Sequence, residues 1–180
     1  MPLTPAALQL AGFLMAHAFW ITADLPPGQH YVPQALCENS RGERRMVTFD
    51  APTPAEQIEK ARVFLGSTGA QFSECVLSRQ TAIDGPAGPV DVLAFDLFSG
   101  ADNQLTVLQA FRPPHPEAAP PMPFRLRGLE VLFTVSGGLP RGMADQTRDG
   151  LREGATDHPG TEEKWAAWNA DREPETPIAK

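Results

Sequence analysis

The chain has 180 residues, of which 42% are hydrophobic and 21% are charged, and its formal net charge is −7. This length fits one domain with room for a tail. The negative charge argues against nucleic acid as a partner, because phosphate binding needs a basic surface. The acid is concentrated late in the chain, since residues 142–180 hold nine Asp or Glu against five Lys or Arg.

The first predicted element is an apolar helix. Thr4 followed by Pro5 is typical of a helix start, and the helix is predicted to run to about Ala23. Its apolar run is shorter than the roughly 20 residues that span a bilayer. No Lys or Arg occurs before Arg41, so the basic segment of a signal peptide is missing. We therefore expect a buried helix, no membrane partner and a cytoplasmic location. Because apolar residues surround the helix, it is either deeply packed or covered by a second copy in a homo-oligomer.

Two cysteines, Cys37 and Cys75, fall on separate predicted strands and form no CxxC or zinc pattern. Free, buried thiols in a reducing compartment are the prediction, and a disulfide is the alternative.

A hairpin and a second helix are predicted next. The strands are Tyr31–Glu38 and Glu43–Phe49, around a turn at residues 39–42. Thr53 and Glu56 then have the spacing of a capping box, with proline at the first helical position. The helix that follows is amphipathic, and we expect it to lie on a sheet.

The centre of the chain is predicted to be β-sheet. A third strand covers about Phe72–Ile83, and Val90–Phe98 with Leu105–Phe111 form a hairpin that is apolar on both faces. Of the eleven residues Pro113–Pro123, six are proline, which predicts an extended, exposed loop of polyproline character. In the last strand, Phe124–Val135, the apolar positions change from even to odd numbers across Gly128, as a β-bulge requires.

These elements predict an α+β fold in the order α-β-β-α-β-β-β-β. About six mostly antiparallel strands carry two helices. Residues 1–135 are predicted to form one domain, and residues 136–180 an acidic tail that is irregular over 136–163. A short helix near Glu162–Ala170 places Trp165 and Trp168 on one side.

Catalytic signatures are weak. None of the four histidines pairs with another ligand at a metal-binding spacing, and neither a nucleophile elbow nor a phosphate-binding loop is present. No metal and no cofactor are expected. His17, inside an apolar helix, is a candidate general base. Asp96, in the central strand, must be paired, protonated or facing a cavity. The two would form an acid–base pair if they lined one cavity, but the alternatives are a packed histidine and a solvated carboxylate.

Binding is the more favoured role. Arg44 and Arg45 could hold an anionic partner through forked hydrogen bonds, or form an ordinary solvated strand face. Trp165 and Trp168 could dock in a partner's groove, or fold back on the chain's own sheet.

The function predicted from these features is a non-catalytic protein-interaction module, such as an adaptor, inhibitor or assembly subunit, with an unidentified protein partner. The alternative is a small-ligand binder or pocket enzyme, with a cavity between the first helix and the sheet lined by His17, Asp96 and Tyr31.

Overall fold

The computed structural model describes residues 4–68, 71–85, 87–99, 102–132 and 143–170. The elements in chain order are α1 (Pro5–Ala23), β1 (Gln34–Glu38), β2 (Arg44–Thr48), α2 (Pro54–Thr68), β3 (Glu74–Gly85), β4 (Gly88–Ser99), β5 (Asp102–Arg112), β6 (Arg125–Leu132), α3 (Met143–Thr156) and α4 (Thr161–Asn169). All strands join one antiparallel sheet in the order β2-β1-β3-β4-β5-β6. The predicted α+β class with a six-stranded antiparallel sheet is confirmed. Two further helices follow β6: α3, which was not predicted, and α4, which confirms the short helix predicted near Glu162–Ala170.

Both predicted helix caps form. The Thr4 hydroxyl accepts a hydrogen bond from the Ala7 amide at 3.1 Å, with Pro5 at the start of α1. At α2, Thr53 and Glu56 cap one another: the Glu56 amide donates to Thr53 Oγ1 at 3.3 Å, and the Thr53 amide donates to Glu56 Oε2 at 3.1 Å. Each contact satisfies an amide that the helix itself leaves without a partner, so local sequence fixes where these helices begin.

The sheet has two covered faces. Its α1 face carries buried side chains that pack against α1, and its α2 face carries a second cluster beneath α2. The α1 face includes Leu36, Val76, Leu93, Phe95, Leu97 and Val107. The α2 face includes Ala35, Cys37, Cys75 and Leu77, which contact Ala61 and Phe64 of α2. Two covered faces explain why the central strands lack a polar side.

The predicted β-bulge is present in β6. Gln109 pairs with Leu129 while Phe111 pairs with Leu126, so β6 holds one more residue than β5 over this stretch. Arg127 and Gly128 therefore lie opposite Ala110, where the apolar positions change register. The predicted end of this strand, residues 133–135, lies outside the described residues, as do residues 136–142 and 171–180.

The prediction of irregular structure over residues 136–163 is wrong for 143–156, which form α3. This helix is amphipathic, but the face that packs along α1 has few large apolar residues, so its low overall hydrophobicity made the stretch look irregular. A Cβ atom added at Gly12 of α1 would overlap the Leu151 carbonyl, and one at Gly154 of α3 would overlap the Gln9 carbonyl. Glycines on both helices thus allow the backbones to touch. The division of the chain at residue 135 stays a prediction.

Helix α1 lies between the sheet on one side and α3 on the other. Leu10, Ala11, Leu14, Ala18 and Phe19 are at most 1% exposed. By length and composition α1 is able to cross a membrane, but 61% of its most apolar window is buried inside the fold. The apolar surface that suggested a second copy is covered within the one chain.

The prediction of free thiols is wrong, because Cys37 and Cys75 form a disulfide. The two residues are direct cross-strand partners on β1 and β3. Their side chains point to the α2 face and are buried beneath α2. The sequence correctly predicted that both cysteines lie on strands. It gave no sign that these two strands pair, because the cysteines are 38 positions apart.

The proline-rich loop is closed rather than extended. His115 and Met122 form an isolated antiparallel bridge, in which the His115 amide donates to the Met122 carbonyl at 2.7 Å and the Met122 amide donates back at 3.0 Å. These two residues have the amide hydrogens that the flanking prolines lack. The predicted extended shape is therefore wrong here, whereas the predicted exposure is present at residues 115–117 and 119–123.

Candidate functional site

The edge strand β2 carries two of the predicted binding residues, Arg44 and Arg45. Both are exposed, and they point to opposite faces of the sheet. Arg44 forms an ion pair with Glu38 at 2.7 Å, and its guanidinium lies 5.9 Å from the Phe13 ring centre. The Arg45 guanidinium lies 5.9 Å from the ring centre of Phe64. The guanidinium groups of Arg44 and Arg45 therefore each make a cation–π contact, one on each side of the sheet.

The turn before β2 is held by one side chain. Asn39 Oδ1 accepts hydrogen bonds from the Arg41 amide at 2.9 Å and the Glu43 amide at 3.0 Å. Asn39 Nδ2 donates to Glu43 Oε2 at 2.7 Å, and Gly42 adopts a φ of 77°. Asparagine and glycine supply the conformations that this turn needs, so the β1–β2 hairpin presents β2 in a fixed position.

One side of β2 has no strand against it among the described residues. Asn39 forms a hydrogen-bonded pair with Glu43, and the Phe49 amide donates to the Pro33 carbonyl. Hydrogen-bonded pairs alternate in an antiparallel ladder. The amides of Arg44, Met46 and Thr48 therefore point away from β1, toward the outer edge.

Tyr31, the third predicted binding residue, is 3% exposed and belongs to a buried network. Its hydroxyl lies 2.9 Å from Gln34 Oε1 and 2.7 Å from Ser78 Oγ, while its amide donates to Gln80 Oε1 at 2.8 Å. Burial raises the pKa of Tyr31 well above its ordinary value, with the Ser78 hydrogen bond acting in the opposite direction. These contacts tie the segment after α1 to the sheet, so Tyr31 is part of the interior.

Asp96 is paired rather than solvated. It is 8% exposed, accepts a hydrogen bond from Thr106 Oγ1 at 2.7 Å and forms an ion pair with Arg79 at 3.1 Å. Because Phe95 and Leu97 face α1, Asp96 points to the other side of the sheet. His17, on α1, lies across the sheet from it, so the two residues do not line one cavity and the condition for an acid–base pair is not met.

The space between α1 and the sheet is filled by apolar side chains such as Leu14, Phe19 and Phe95, which are 0% exposed. His17, Asp96 and Tyr31 do not converge there. A surface depression of ≈ 380 Å³ lies elsewhere, between the loop after β2 and the outer side of α2. It is lined by Ala51, Pro52, Glu56, Glu59, Lys60 and Val63. The three residues that were to line the ligand cavity of the small-ligand hypothesis therefore do not lie around one cavity.

His17 has a partner that sequence reasoning missed. Its Nδ1 lies 3.1 Å from Nε2 of His158, in the segment between α3 and α4. The other nitrogen of His158, Nδ1, lies 3.2 Å from the hydroxyl of Thr161. Phe13 stacks edge-on against His158, with ring centres 5.1 Å apart. The histidines are 141 positions apart, and no local spacing signals such a pair.

The two tail tryptophans fold back on the chain. Trp168 is 4% exposed and meets Phe19 and Phe124 edge to face, with ring centres 6.0 and 6.1 Å apart. Trp165 is half-buried against the same core. Two roles were considered for these tryptophans, and in the structure they pack on the chain's own core.

Among the described residues, no group of three or more His, Cys, Asp or Glu side chains is arranged to hold a metal ion. No protein-family model matches the chain, and no curated protein or solved structure is significantly similar to it. Inference about function therefore depends on the chain's own geometry.

Proposed function

We propose that this chain is a non-catalytic protein-interaction module, and that its partner adds an extended, acidic segment to the outer edge of β2. The observation that supports this proposal most directly is the exposed edge of β2, with outward amides at Arg44, Met46 and Thr48. An added strand is bound mainly through such main-chain groups. The Asn39 turn holds the edge in place before binding, which lowers the entropic cost of association.

Charge supports an acidic segment as the occupant. The stretch Gln34–Thr48 contains three arginines and two glutamates, a net of +1 in a chain of net charge −7. Because Arg44 and Arg45 lie on opposite faces of the edge, acidic side chains on either face of an added strand would meet an arginine. Arginine suits this role because its planar group forms forked hydrogen bonds with carboxylates.

The compartment in which this module works stays a prediction. The expectation of a cytoplasmic location rested partly on free thiols, and the Cys37–Cys75 disulfide removes that support. Disulfides persist mainly in oxidising compartments. Trapping thiols in freshly lysed native cells tests the expectation: a chain that is fully oxidised in the cell would contradict a reducing cytoplasm.

The edge is tested by a proline substitution. Met46→Pro removes an outward amide without removing a β1–β2 hydrogen bond, whereas Met46→Ala retains the amide and serves as the matched control. The probes are two short synthetic peptides, one of alternating valine and glutamate and one of alternating valine and lysine. We expect fluorescence anisotropy to show binding of the acidic peptide, weakened at least about tenfold by Met46→Pro, or 1.4 kcal/mol, and unchanged by Met46→Ala.

Arginines on an edge strand also serve to keep it from pairing with other chains. If that is their only role, neither peptide binds, and the proposal fails. It fails equally if the lysine peptide binds as well as the glutamate peptide, or if Met46→Pro binds normally while keeping the thermal unfolding of Met46→Ala.

A further inference from the structure

The contact between His17 and His158 joins the middle of α1 to the segment that precedes α4. His17 Nδ1 and His158 Nε2 are 3.1 Å apart, and Thr161, which is 2% exposed, holds the far nitrogen of His158. This contact requires that one of the facing nitrogens donates a hydrogen and the other accepts it. Neutral imidazoles meet that requirement, because each has one donor and one acceptor.

The surroundings favour the neutral rings. Burial lowers the pKa of His17 below its ordinary value of 6.5. Burial also lowers the pKa of His158, with a further decrease from the neighbouring His17 and a partial opposing effect from the Pro159 backbone. Near neutral pH both rings are therefore uncharged, and the hydrogen bond between them is intact.

Charged groups near the two histidines lie on β2, on α4, just after α1 and in the segment between α3 and α4. Arg44 of β2 lies over the Phe13 ring, and Lys164 of α4 lies 3.8 Å from the centre of the Trp20 ring, two aromatic groups that contact His158. Among the acids, Asp24 after α1 is 3.5 Å from Lys164. Asp157 beside His158 and the α4 carboxylates Glu162 and Glu163 are solvent-exposed. Both cations have acidic partners, Arg44 with Glu38 at 2.7 Å and Lys164 with Asp24, so burial and the neighbouring ring are what disfavour charge on the histidines.

Protonation of both rings removes the contact, whereas a single added proton still leaves one donor facing one acceptor. A fully protonated imidazole is a donor at both nitrogens, so two charged rings oppose each other where the hydrogen bond had been. The pKa of each histidine is lower when α4 is docked than when α4 is released. At a pH near those values, the released state therefore binds more protons. The stabilisation from docking is therefore complete above the ordinary histidine pKa of 6.5, and it is lost as the pH falls below that value.

The element that depends on this contact is α4. It has nine residues, which is too short to be stable as an isolated helix. Its docking rests on Trp168 against Phe19 and Phe124, on the ion pair of Lys164, and on the histidine contact at its start. Weakening the histidine contact therefore shifts α4 toward release while the sheet remains folded.

We propose that the His17–His158 contact is an acid-sensitive latch, which holds α4 on α1 and β6 at neutral pH and releases it on acidification. Release exposes Trp165 and Trp168, two aromatic side chains three residues apart on one short segment. This latch is independent of the β2 edge, so either proposal can fail without the other.

Hydrogen exchange on the intact protein tests the latch. Protection factors of α4 and of β3–β5 are measured by mass spectrometry from about pH 7.5 to about pH 5, the range in which histidine titrates, with a chelator present. We expect α4 protection to fall by about three- to tenfold, the equivalent of one net hydrogen bond. The sheet should keep its protection, and acrylamide quenching of tryptophan emission should rise in parallel.

The four histidines provide matched variants. The double variant His17→Gln/His158→Gln should lose the acid response, while His30→Gln/His115→Gln, at two exposed positions, should retain it. An unchanged α4 protection in the natural sequence would overturn the latch, as would an acid response that persists in the first variant. If that variant does not fold, NMR titration of the natural protein decides: the His17 and His158 ring signals and the α4 amides must share one midpoint.

Discussion

Gly12 in α1 and Gly154 in α3 determine how closely these two helices approach. Each would place an added Cβ against a backbone carbonyl of the opposite helix. A flexible side chain is able to move aside, but a helical carbonyl is fixed by its own hydrogen bond. These glycines therefore act through the space that they leave empty and not through their backbone flexibility.

Gly12→Ala and Gly154→Ala should each destabilise the protein by about 1–3 kcal/mol, the usual cost of overpacking, or more because backbone is in the way. Gly66→Ala in α2 is the control, since an added Cβ there meets nothing within 4 Å. It should instead raise stability by about 0.5–1 kcal/mol, because alanine favours helix. Urea unfolding of the three variants measures this. Equal effects at Gly12 and Gly66 would show that the helices are not in contact.

At the scale of single residues, prediction from sequence worked where the chemistry was local. The caps at Thr4 and Thr53 depend on residues within four positions, and the Gly128 bulge on the alternation within one strand. His17 was singled out as a candidate base or a packed histidine, and Asp96 as a carboxylate that is paired, protonated or facing a cavity. Their partners, His158 and Arg79, come from other elements, so no spacing along the chain identified them.

Among the elements, β1 and β3 are joined both by their ladder and by the Cys37–Cys75 disulfide. The connection between them contains β2 and α2. The disulfide therefore restrains the hairpin and the helix that together form one end of the sheet, including the β2 edge.

Reduction of this disulfide should lower the free energy of unfolding by about 3–4 kcal/mol, as expected for closing a loop of this size in the unfolded chain, the cysteines being 38 positions apart. Urea unfolding with and without dithiothreitol measures the difference. A Cys37→Ala/Cys75→Ala variant is the control, and the reductant should not affect it. If the natural chain is equally stable in both conditions and reacts with a thiol reagent when unfolded, the cysteines are free.

Pattern analysis predicted α4, as a short helix near Glu162–Ala170, but missed α3. Their stretch is acidic and contains few large apolar residues, features that it shares with disordered tails. Leu151, Ala155 and Trp168 are nonetheless buried, because α1 supplies the apolar surface that these helices lack. Whether such a segment folds depends on an element from the opposite end of the sequence.

For the whole molecule, the main consequence is that the core contains both early and late parts of the chain. A chain ended after residue 142 would lack α3 and α4 and would expose one side of α1. We expect it to lose cooperative thermal unfolding and to self-associate, as measured by calorimetry and by light scattering after size exclusion.

Supplying residues 143–170 as a separate peptide is the control for this truncation. Restored cooperative unfolding would show that the missing contacts, and not the cut itself, cause the defect. A truncated chain that remains monomeric and unfolds cooperatively would mean that residues 1–142 are self-sufficient.

The burial of α1 beneath α3 also has a consequence during protein synthesis. From the end of α1 at Ala23 to the start of α3 at Met143 the chain has 143 − 23 = 120 positions. At about 5–20 residues per second, a ribosome needs roughly 6–24 s to make that stretch. For this time the most apolar helix of the nascent chain lacks the helix that covers it in the finished fold, so α1 is the segment at which we expect a chaperone to bind an unfinished chain.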